Sequence, residues 1–219
     1  MDGLQTNKKI NSYIIDSQEA EIKRIALELH EGVGQNLYSI LTGLQFVQSG
    51  ITEQNMKSYV HEMSELIEKT IQEIRLLSVE LHPPTLTTFG LLPAMKSYLK
   101  LYTSTFGILV DLESAGEEAS LPERSKIAVF RVCQEALTNI AKYADSSKVK
   151  MIFHWSQAEL KITIDDFGKG FQLDEHDGTQ ESHSLGITMM KERMHLTGGK
   201  CEISSKIGEG TSIKLSLPL

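Results

Sequence analysis

The sequence has 219 residues, of which 40% are hydrophobic and 23% charged, and its net charge is −7. This length provides one large domain or two small ones, and the apolar share excludes a wholly disordered chain. The negative charge argues against nucleic acid or an anionic membrane surface as the main partner, although local backbone N–H groups can still bind a nucleotide. Cys133 and Cys201 are too few for a disulfide framework and indicate a reducing cytosol. We therefore expect a cytoplasmic protein.

The uncharged stretch 32–52 is about as long as a membrane-spanning helix. Polar side chains recur through it at helical spacing, which is typical of an amphipathic helix packed on protein. We therefore expect no membrane segment in this sequence.

The first half of the sequence, over residues 17–81, carries apolar residues in a coiled-coil rhythm. Their spacing alternates between three and four, with one additional four at Val33–Leu37. The repeating positions are Ile22, Ala26, Leu29, Val33, Leu37, Ile40, Leu44 and Val47, then Met56, Val60, Met63, Ile67, Thr70, Ile74, Leu77 and Leu81. Gly50 predicts a helix stop and Thr52 the next N-cap. The pattern predicts two long antiparallel helices after an N-terminal linker over 1–17.

One such hairpin cannot cover both of its apolar seams. A homodimeric four-helix bundle is the simplest arrangement that buries them. Pro83 and Pro84 end the second helix, because neither can donate a helical hydrogen bond.

The second half changes to a mixed α/β pattern. After a turn-rich link over 85–92, Pro93 at a first-turn position predicts a short helix to about Phe106. A strand is predicted over 108–113, and a capping box at 120–123 opens a helix that ends near 143. Two strands follow over 148–155 and 160–165, and then a polar lid over 172–184. The last predicted elements are a helix over 185–196 and strands over 201–205 and 211–217. Such elements form a two-layer α/β sandwich with a mostly antiparallel sheet.

His30 is the first candidate for chemistry. It lies one position after Leu29, so it is rotated about 100° from the buried seam toward solvent. Glu31 can accept a proton from one imidazole nitrogen and leave the other as a nucleophile. Gln35 lies four residues after Glu31, on the same helix face. An ordinary surface histidine has the same appearance, so this dyad alone does not assign a function.

Glu135, Asn139 and Lys142 form a second candidate site, at i, i+4 and i+7 on one predicted helix. This spacing places a carboxylate, an amide oxygen and a cation on one face, which suits a metal-bound phosphate chain. A solvated helix face is the alternative interpretation.

Glycine-rich motifs follow this helix. Asp166, Gly168 and Gly170 form Asp-x-Gly-x-Gly at the end of a predicted strand, where a buried carboxylate can bind an exocyclic amine and glycines admit a ligand close to the backbone. The alternative is an ordinary hairpin turn. Gly186 marks the entry to a helix N-terminus, which favours phosphate.

A last motif, Gly-x-Gly-Thr, comprises Gly208, Gly210 and Thr211. By itself it predicts a β-hairpin turn. It contributes to a functional assignment only through its position after the other motifs.

The succession His-Glu-x-x-x-Gln, Asn helix, Asp-x-Gly-x-Gly, Leu-Gly-Ile and Gly-x-Gly-Thr resembles the transmitter core of bacterial sensor histidine kinases. In particular, it resembles the subfamily that signals to regulators with a LuxR-type helix-turn-helix output domain. The stretch 81–91 also matches that subfamily's inter-domain segment. The resemblance covers about 21–219. It implies a dimerisation and histidine phosphotransfer domain over 18–84, in which the hairpin dimerises into a four-helix bundle. An ATP-binding α/β sandwich of the GHKL or Bergerat type follows over 85–219.

The resemblance further implies an ATP-dependent autokinase that uses Mg²⁺. His30 is then the phosphoacceptor, Glu31 its activating base, and Gln35 the residue that orients water when the partner is dephosphorylated. The implied partners are a second copy of the chain and the receiver domain of a response regulator, with no direct contact to nucleic acid or membrane.

In the nucleotide pocket, the resemblance implies that Asn139 binds Mg²⁺, that Glu135 polarises the same region and that Lys142 contacts phosphate. Asp166 is then the residue that recognises the adenine amino group. The residues implied to shape the pocket and lid are Gly168, Gly170, Gly186, Gly208, Gly210 and Thr211. The sequence departs from the family pattern at Glu31, Tyr143, Phe167 and Ser184.

Two other functions share parts of this pattern. One is a GHKL-fold ATPase such as a type II topoisomerase or a heat-shock chaperone, but those proteins have an acidic residue soon after the Asn, where Lys142 stands here. The other is a non-catalytic dimeric scaffold with a degenerate nucleotide pocket, which the retained Asn139 and Asp166 disfavour.

Overall fold

The computed structural model describes residues 2–172 and 181–219, without the side chains of residues 2–12, 16, 76, 84 and 181–184. The chain separates into two compact units, Met1–Pro84 and Thr85–Leu219. None of the helices within the described residues is long and apolar enough to cross a membrane.

The first unit is a helical hairpin. Its first arm consists of α1 (Asp2–Leu27), a π-helical segment (Glu28–Val33) and α2 (Gly34–Gly50). Its second arm is α3 (Gln54–Leu81), and both α1 and α2 pack against it. Only residues 51–53 connect the arms, so they run antiparallel, as the heptad pattern predicts.

The ends of these helices differ from the expectations. Helix α1 begins at Asp2, within the segment predicted to be a linker. The N-cap of α3 is Glu53 and not Thr52, because Lys57 N–H donates its hydrogen bond to the Glu53 carbonyl and the ladder starts there. The first arm is interrupted by the π-helical segment, where an unbroken helix was predicted.

A single chain buries only part of the predicted apolar seam. Of the hairpin side chains that the structure describes, the buried apolar ones are Ala26, Leu41, Val60 and Ile71. Other seam residues keep between 40% and 53% of their surface exposed, namely Val33, Ile40, Val47, Met56 and Leu77. Among the described residues, part of the predicted apolar seam of the hairpin is therefore exposed.

The second unit is a two-layer α/β sandwich, as predicted. Its helices are α4 (Pro84–Thr88), α5 (Leu91–Phe106), α6 (Glu123–Asn139), continued by a second π-helical segment (Ile140–Ala144), and α7 (Glu181–His195). Its strands are β1 (Leu109–Ala115), β2 (Lys148–Trp155), β3 (Glu159–Asp166), β4 (Lys200–Lys206) and β5 (Gly210–Pro218). The sheet order is β1-β2-β3-β5-β4, with β1 parallel to β2 and the other pairs antiparallel.

The core lies between this sheet and the helices. Strands β2 and β3 bury alternate side chains, so one face of each strand is apolar and the other is partly exposed. The residues that meet in the core include Phe130, Cys133 and Leu137 of α6 with Met151, Phe153, Ile162 and Ile164 of the sheet. Burial raises the pKa of the Cys201 thiol to about 11 and also raises the pKa of the Cys133 thiol. Both cysteines are free, in agreement with the absence of a predicted disulfide framework.

Several predicted boundaries in this unit are wrong by a few residues. The link predicted over 85–92 contains α4, and α5 begins within it at Leu91, which places Pro93 in the first turn as predicted. The predicted capping box is absent, because Lys126 N–H bonds to the Pro122 carbonyl and Pro122 is therefore the N-cap of α6. Of the predicted lid, residues 173–180 lie outside the described residues, and α7 already begins at Glu181.

A distant carboxylate caps helix α5. Its first residues follow Gly90, which has a positive φ of 97°. Glu118 Oε1 accepts hydrogen bonds from the backbone N–H groups of Leu91 at 2.9 Å and Leu92 at 3.2 Å. These groups have no partner within the helix itself, so the carboxylate satisfies them and also opposes the helix dipole.

We expect Glu118→Ala to lower the free energy of unfolding of the second unit by about 1 kcal/mol, as for other lost helix caps. Glu118→Gln retains an acceptor oxygen and is expected to lose less. Trp155 is the single tryptophan and is buried in β2, so urea unfolding followed by its fluorescence reports on this unit. Glu117→Ala, at the exposed neighbouring residue, is the control. An unchanged midpoint for Glu118→Ala contradicts the capping role.

Candidate functional site

A cavity of about 290 Å³ opens in the second unit where α6, α7 and the ends of β3, β4 and β5 converge. Its apolar lining includes Ala136, Ile140, Ile187, Met190, Ile203 and Ile213, and its polar lining includes Asn139, Tyr143, Asp166, Lys169 and Thr211. An apolar cavity with a few convergent polar groups is the usual form of a small-molecule site.

Asp166 is the most deeply buried polar group of this cavity. It is the last residue of β3, only 4% exposed, and its Oδ1 accepts a hydrogen bond from the Gly168 N–H at 2.9 Å. Within the described part of the chain, Oδ2 accepts no hydrogen bond. A buried carboxylate in this state can accept a hydrogen bond from a ligand N–H, because burying it without such a donor is unfavourable.

Glu135 and Asn139 meet on α6 as their spacing predicts. Asn139 Nδ2 donates a hydrogen bond to Glu135 Oε1 at 3.3 Å. This bond assigns the amide nitrogen to Glu135 and turns the amide oxygen away from it. Helix α7 approaches the pair at Gly186, where a Cβ atom would stand 2.5 Å from Glu135 Oε1. A side chain at Gly186 therefore requires the carboxylate to move.

Among the described residues, Lys142 makes no hydrogen bond or ion pair with Glu135 or Asn139, so its place on their helix face stays a prediction. It is exposed and does not line the cavity, whereas Tyr143 does. Both residues lie in the second π-helical segment, whose i→i+5 turn is wider than that of an α-helix. A cation is nevertheless present at the cavity, because Lys169 lines it.

Sequence reasoning did not single out Lys169. It is the residue between the two glycines of the Asp-x-Gly-x-Gly motif. The sequence therefore gives its place in the loop, but it does not show that Lys169 lines the cavity. Its backbone N–H donates to the Ala144 carbonyl at 2.8 Å and its carbonyl accepts from the Gly208 N–H at 2.7 Å. The loop after β3 is thus joined both to the end of the π-helical segment and to the β4–β5 turn.

The glycines of the predicted motifs occupy the turns around the cavity. Gly168 and Gly170 lie in the loop after β3, and Gly208 and Gly210 at the β4–β5 turn. Gly210 has a φ of +84°, and a Cβ atom there would stand 2.1 Å from the Asp166 carbonyl oxygen. The absence of a side chain at Gly210 therefore allows the β4–β5 turn to pack directly against the backbone of Asp166.

His30 lies in the first unit, within the π-helical segment Glu28–Val33, none of whose residues is buried. The His30 side chain is exposed, as its position beside Leu29 predicts. Glu31 is exposed in the same segment, and Gln35 is exposed in the first turn of α2. The π geometry was not predicted, although the additional spacing of four in the apolar pattern at this point is the trace that an inserted residue leaves.

The described residues hold no cluster of three or more His, Cys, Asp or Glu side chains that could bind a metal ion unaided.

Comparison with known proteins identifies relatives of both units. Residues 21–86 match the family described as histidine kinase (HisKA_3), and residues 125–219 match the histidine kinase-, DNA gyrase B-, and HSP90-like ATPase family (HATPase_c). The chain is 31% identical over 209 residues to the signal transduction histidine-protein kinase/phosphatase DegS of Brevibacillus brevis. That match covers 94% of this chain and 53% of the relative, so the chain spans about half the length of DegS.

A solved structure has the same fold. The histidine kinase domain from the Erythrobacter litoralis EL346 blue-light activated histidine kinase matches with a TM-score of 0.50 and 14% sequence identity. The match covers 84% of this chain and 94% of that one.

We expect Gly210→Ala to destabilise the second unit much more than Gly208→Ala. Both glycines have a positive φ, of 84° and 82°, so both substitutions carry the same backbone strain of about 1 kcal/mol. Only at Gly210 does the new methyl group also meet the Asp166 backbone, which adds about 1–3 kcal/mol of overpacking. Urea unfolding followed by Trp155 fluorescence measures the difference, and equal losses contradict the close packing.

Proposed function

Because this chain belongs to the bacterial two-component sensor histidine kinases, we propose that it is an ATP-dependent autokinase. In this proposal it phosphorylates His30 and passes the phosphoryl group to an aspartate of a response regulator. Residues 18–84 act as the dimerisation and phosphotransfer domain, after a linker over 1–17, and residues 85–219 act as the ATP-binding domain.

The observation that carries this proposal is the cavity around the buried Asp166 carboxylate. All of its lining residues fall within 125–219, the range that matches the ATPase family. We propose that Asp166 accepts a hydrogen bond from the adenine amino group, while the apolar side chains around it contact the faces of the base. Gly168, Gly170, Gly186, Gly208, Gly210 and Thr211 are the proposed residues that shape this pocket.

At the phosphate end we propose Asn139 as the Mg²⁺ ligand. Its amide oxygen suits a hard cation, and its bond to Glu135 keeps the nitrogen on the other side. Mg²⁺ bound there would neutralise part of the phosphate charge. Glu135 polarises the same region. Lys142 is proposed to contact phosphate from outside the cavity, and Lys169, which lines it, adds a second positive charge.

The phosphotransfer chemistry is proposed for the exposed face of the first unit. The imidazole of His30 attacks the γ-phosphorus, the bond to the bridging oxygen breaks, and ADP leaves. Glu31 accepts the proton that the imidazole loses. The carboxylate of a regulator aspartate then attacks the phosphorus, the bond between phosphorus and the imidazole nitrogen breaks, and the proton held by Glu31 returns to that nitrogen. Exposure of His30 on the hairpin surface supports access by both the nucleotide domain and a regulator.

A homodimer is the proposed assembly. The apolar seam residues that remain about half exposed in one chain, such as Ile40, Val47 and Met56, would be buried by a second hairpin in a four-helix bundle. The relative DegS is named a kinase/phosphatase. We propose a phosphatase activity here also, with Gln35 orienting the attacking water, and a regulator receiver domain as the second partner.

His30→Gln is expected to abolish incorporation of label from γ-labelled ATP, because glutamine offers no imidazole nucleophile. Nucleotide affinity is expected to stay unchanged, since the cavity lies in the other unit. The wild-type label should be acid-labile and base-stable, as for a phosphoramidate. His61→Gln, at an exposed histidine of α3, is the matched control and should label normally. Persistent labelling of His30→Gln would falsify the assignment.

Gln35→Ala is expected to slow dephosphorylation of the regulator about tenfold or more while autophosphorylation stays normal, because only the hydrolytic step needs an oriented water. The measurement is the half-life of the phosphorylated receiver domain that accepts label from the wild-type chain. Gln45→Ala, at an exposed glutamine of the same helix, is the control. An unchanged half-life removes Gln35 from the proposed mechanism.

A further inference from the structure

The hydroxyl group of Ser205 joins two walls of the cavity. Ser205 lies in β4, directly opposite Thr211 of β5. Its Oγ is 2.9 Å from the Phe171 backbone nitrogen, 3.0 Å from the Gly210 carbonyl oxygen and 3.0 Å from Thr211 Oγ1. Phe171 and Thr211 line the cavity on different elements, the loop after β3 and strand β5.

The number of protons and lone pairs on each of these groups determines which atom donates in each hydrogen bond. A serine hydroxyl has one proton to donate and two lone pairs to accept. The Gly210 carbonyl can only accept, so it receives the Ser205 proton, and the Phe171 N–H can only donate. The remaining lone pair of Ser205 then accepts the hydroxyl proton of Thr211. All the hydrogen-bonding capacity of Ser205 is used in this arrangement.

As a consequence, the direction in which the Thr211 hydroxyl donates its proton is fixed. Its proton points to Ser205, so its oxygen can only accept a hydrogen bond from a ligand. Asp166 is the cross-strand partner of Thr211 in β3 and also presents an acceptor. The cavity thus has two neighbouring acceptors and no hydroxyl donor between them.

We propose that Ser205 is a positioning residue that fixes the orientation of Thr211 and joins the Phe171 loop to β5, and thereby sets the preference for a base with an amino group. This inference rests on the proposed nucleotide-binding function. Two acceptors match the amino group of adenine, whereas the carbonyl oxygen that guanine has at the same ring position would face them with no donor.

The test compares the affinities of the full chain for ADP and GDP by calorimetric titration. Ser205→Ala frees the Thr211 proton, which can then turn toward the ligand. We expect ADP affinity to fall about tenfold, as for one lost hydrogen bond to a polar group, and the ratio of ADP to GDP affinity to fall with it. Ser205→Thr keeps the hydroxyl and should retain the wild-type ratio.

Ser204→Ala is the matched control. Ser204 is the neighbouring residue, is exposed and pairs with Ser212 on the opposite face of the sheet. If Ser205→Ala does not fold, Ser205→Cys replaces it, because a thiol has nearly the same volume but is a weak donor and acceptor. Trp155 fluorescence in urea verifies folding of each variant.

The outcomes separate this inference from the function on which it rests. Failure of the wild-type chain to bind ADP overturns the proposed function itself. Wild-type binding with an unchanged affinity ratio in the Ser205 variant overturns the positioning role. Equal losses of ADP and GDP affinity, together with lower stability, indicate a merely structural hydroxyl and overturn it as well. A reduced ratio with rescue by Ser205→Thr supports it.

Discussion

Burial of the Asp166 carboxylate is the constraint on which the shape of the second unit's cavity depends. A buried carboxyl group must be given hydrogen-bond donors, and the first is the N–H of Gly168, two residues further along the chain. That bond turns the chain out of β3 and into the loop that contains Lys169. The β4–β5 turn approaches the same point because Gly210 has no side chain. The other oxygen of the Asp166 carboxylate remains free to accept a hydrogen bond at the cavity, which Asp166 lines, and a ligand N–H group can donate it.

Two π-helical segments interrupt the helices where the proposed chemistry takes place. The segment Glu28–Val33 contains His30, and the segment Ile140–Ala144 follows Asn139. A wider turn changes which side chains share a face, and such segments occur frequently at functional sites. In the second unit Tyr143, a residue of this segment, lines the cavity. Both segments are short. The α-helix α2 follows the first one directly, and the helix ends with the second one at Ala144.

The two units differ in how completely they bury their apolar residues. The sandwich has a core of fully buried side chains from α5, α6, α7 and the sheet. The hairpin buries few, and its exposed apolar seam is the feature that supports a proposed second copy. In the proposed homodimer, association of two hairpins would cover the exposed seam. The stability of the hairpin is then tied to protein concentration, and that of the sandwich is not.

The sequence by itself determined the two-unit organisation, the antiparallel hairpin, the strands of the sandwich and the motif positions of Asn139 and Asp166, because periodicity and turn residues report which face of an element is buried. Only the tertiary structure decided the cap that Glu118 provides, the position of Lys169 at the cavity, and the bonds of Ser205. Glu118 and Leu91 are 27 residues apart, and Ser205 and Phe171 are 34 apart. Contacts over such separations follow from how the sheet and helices pack in space, and no local pattern of residues records them.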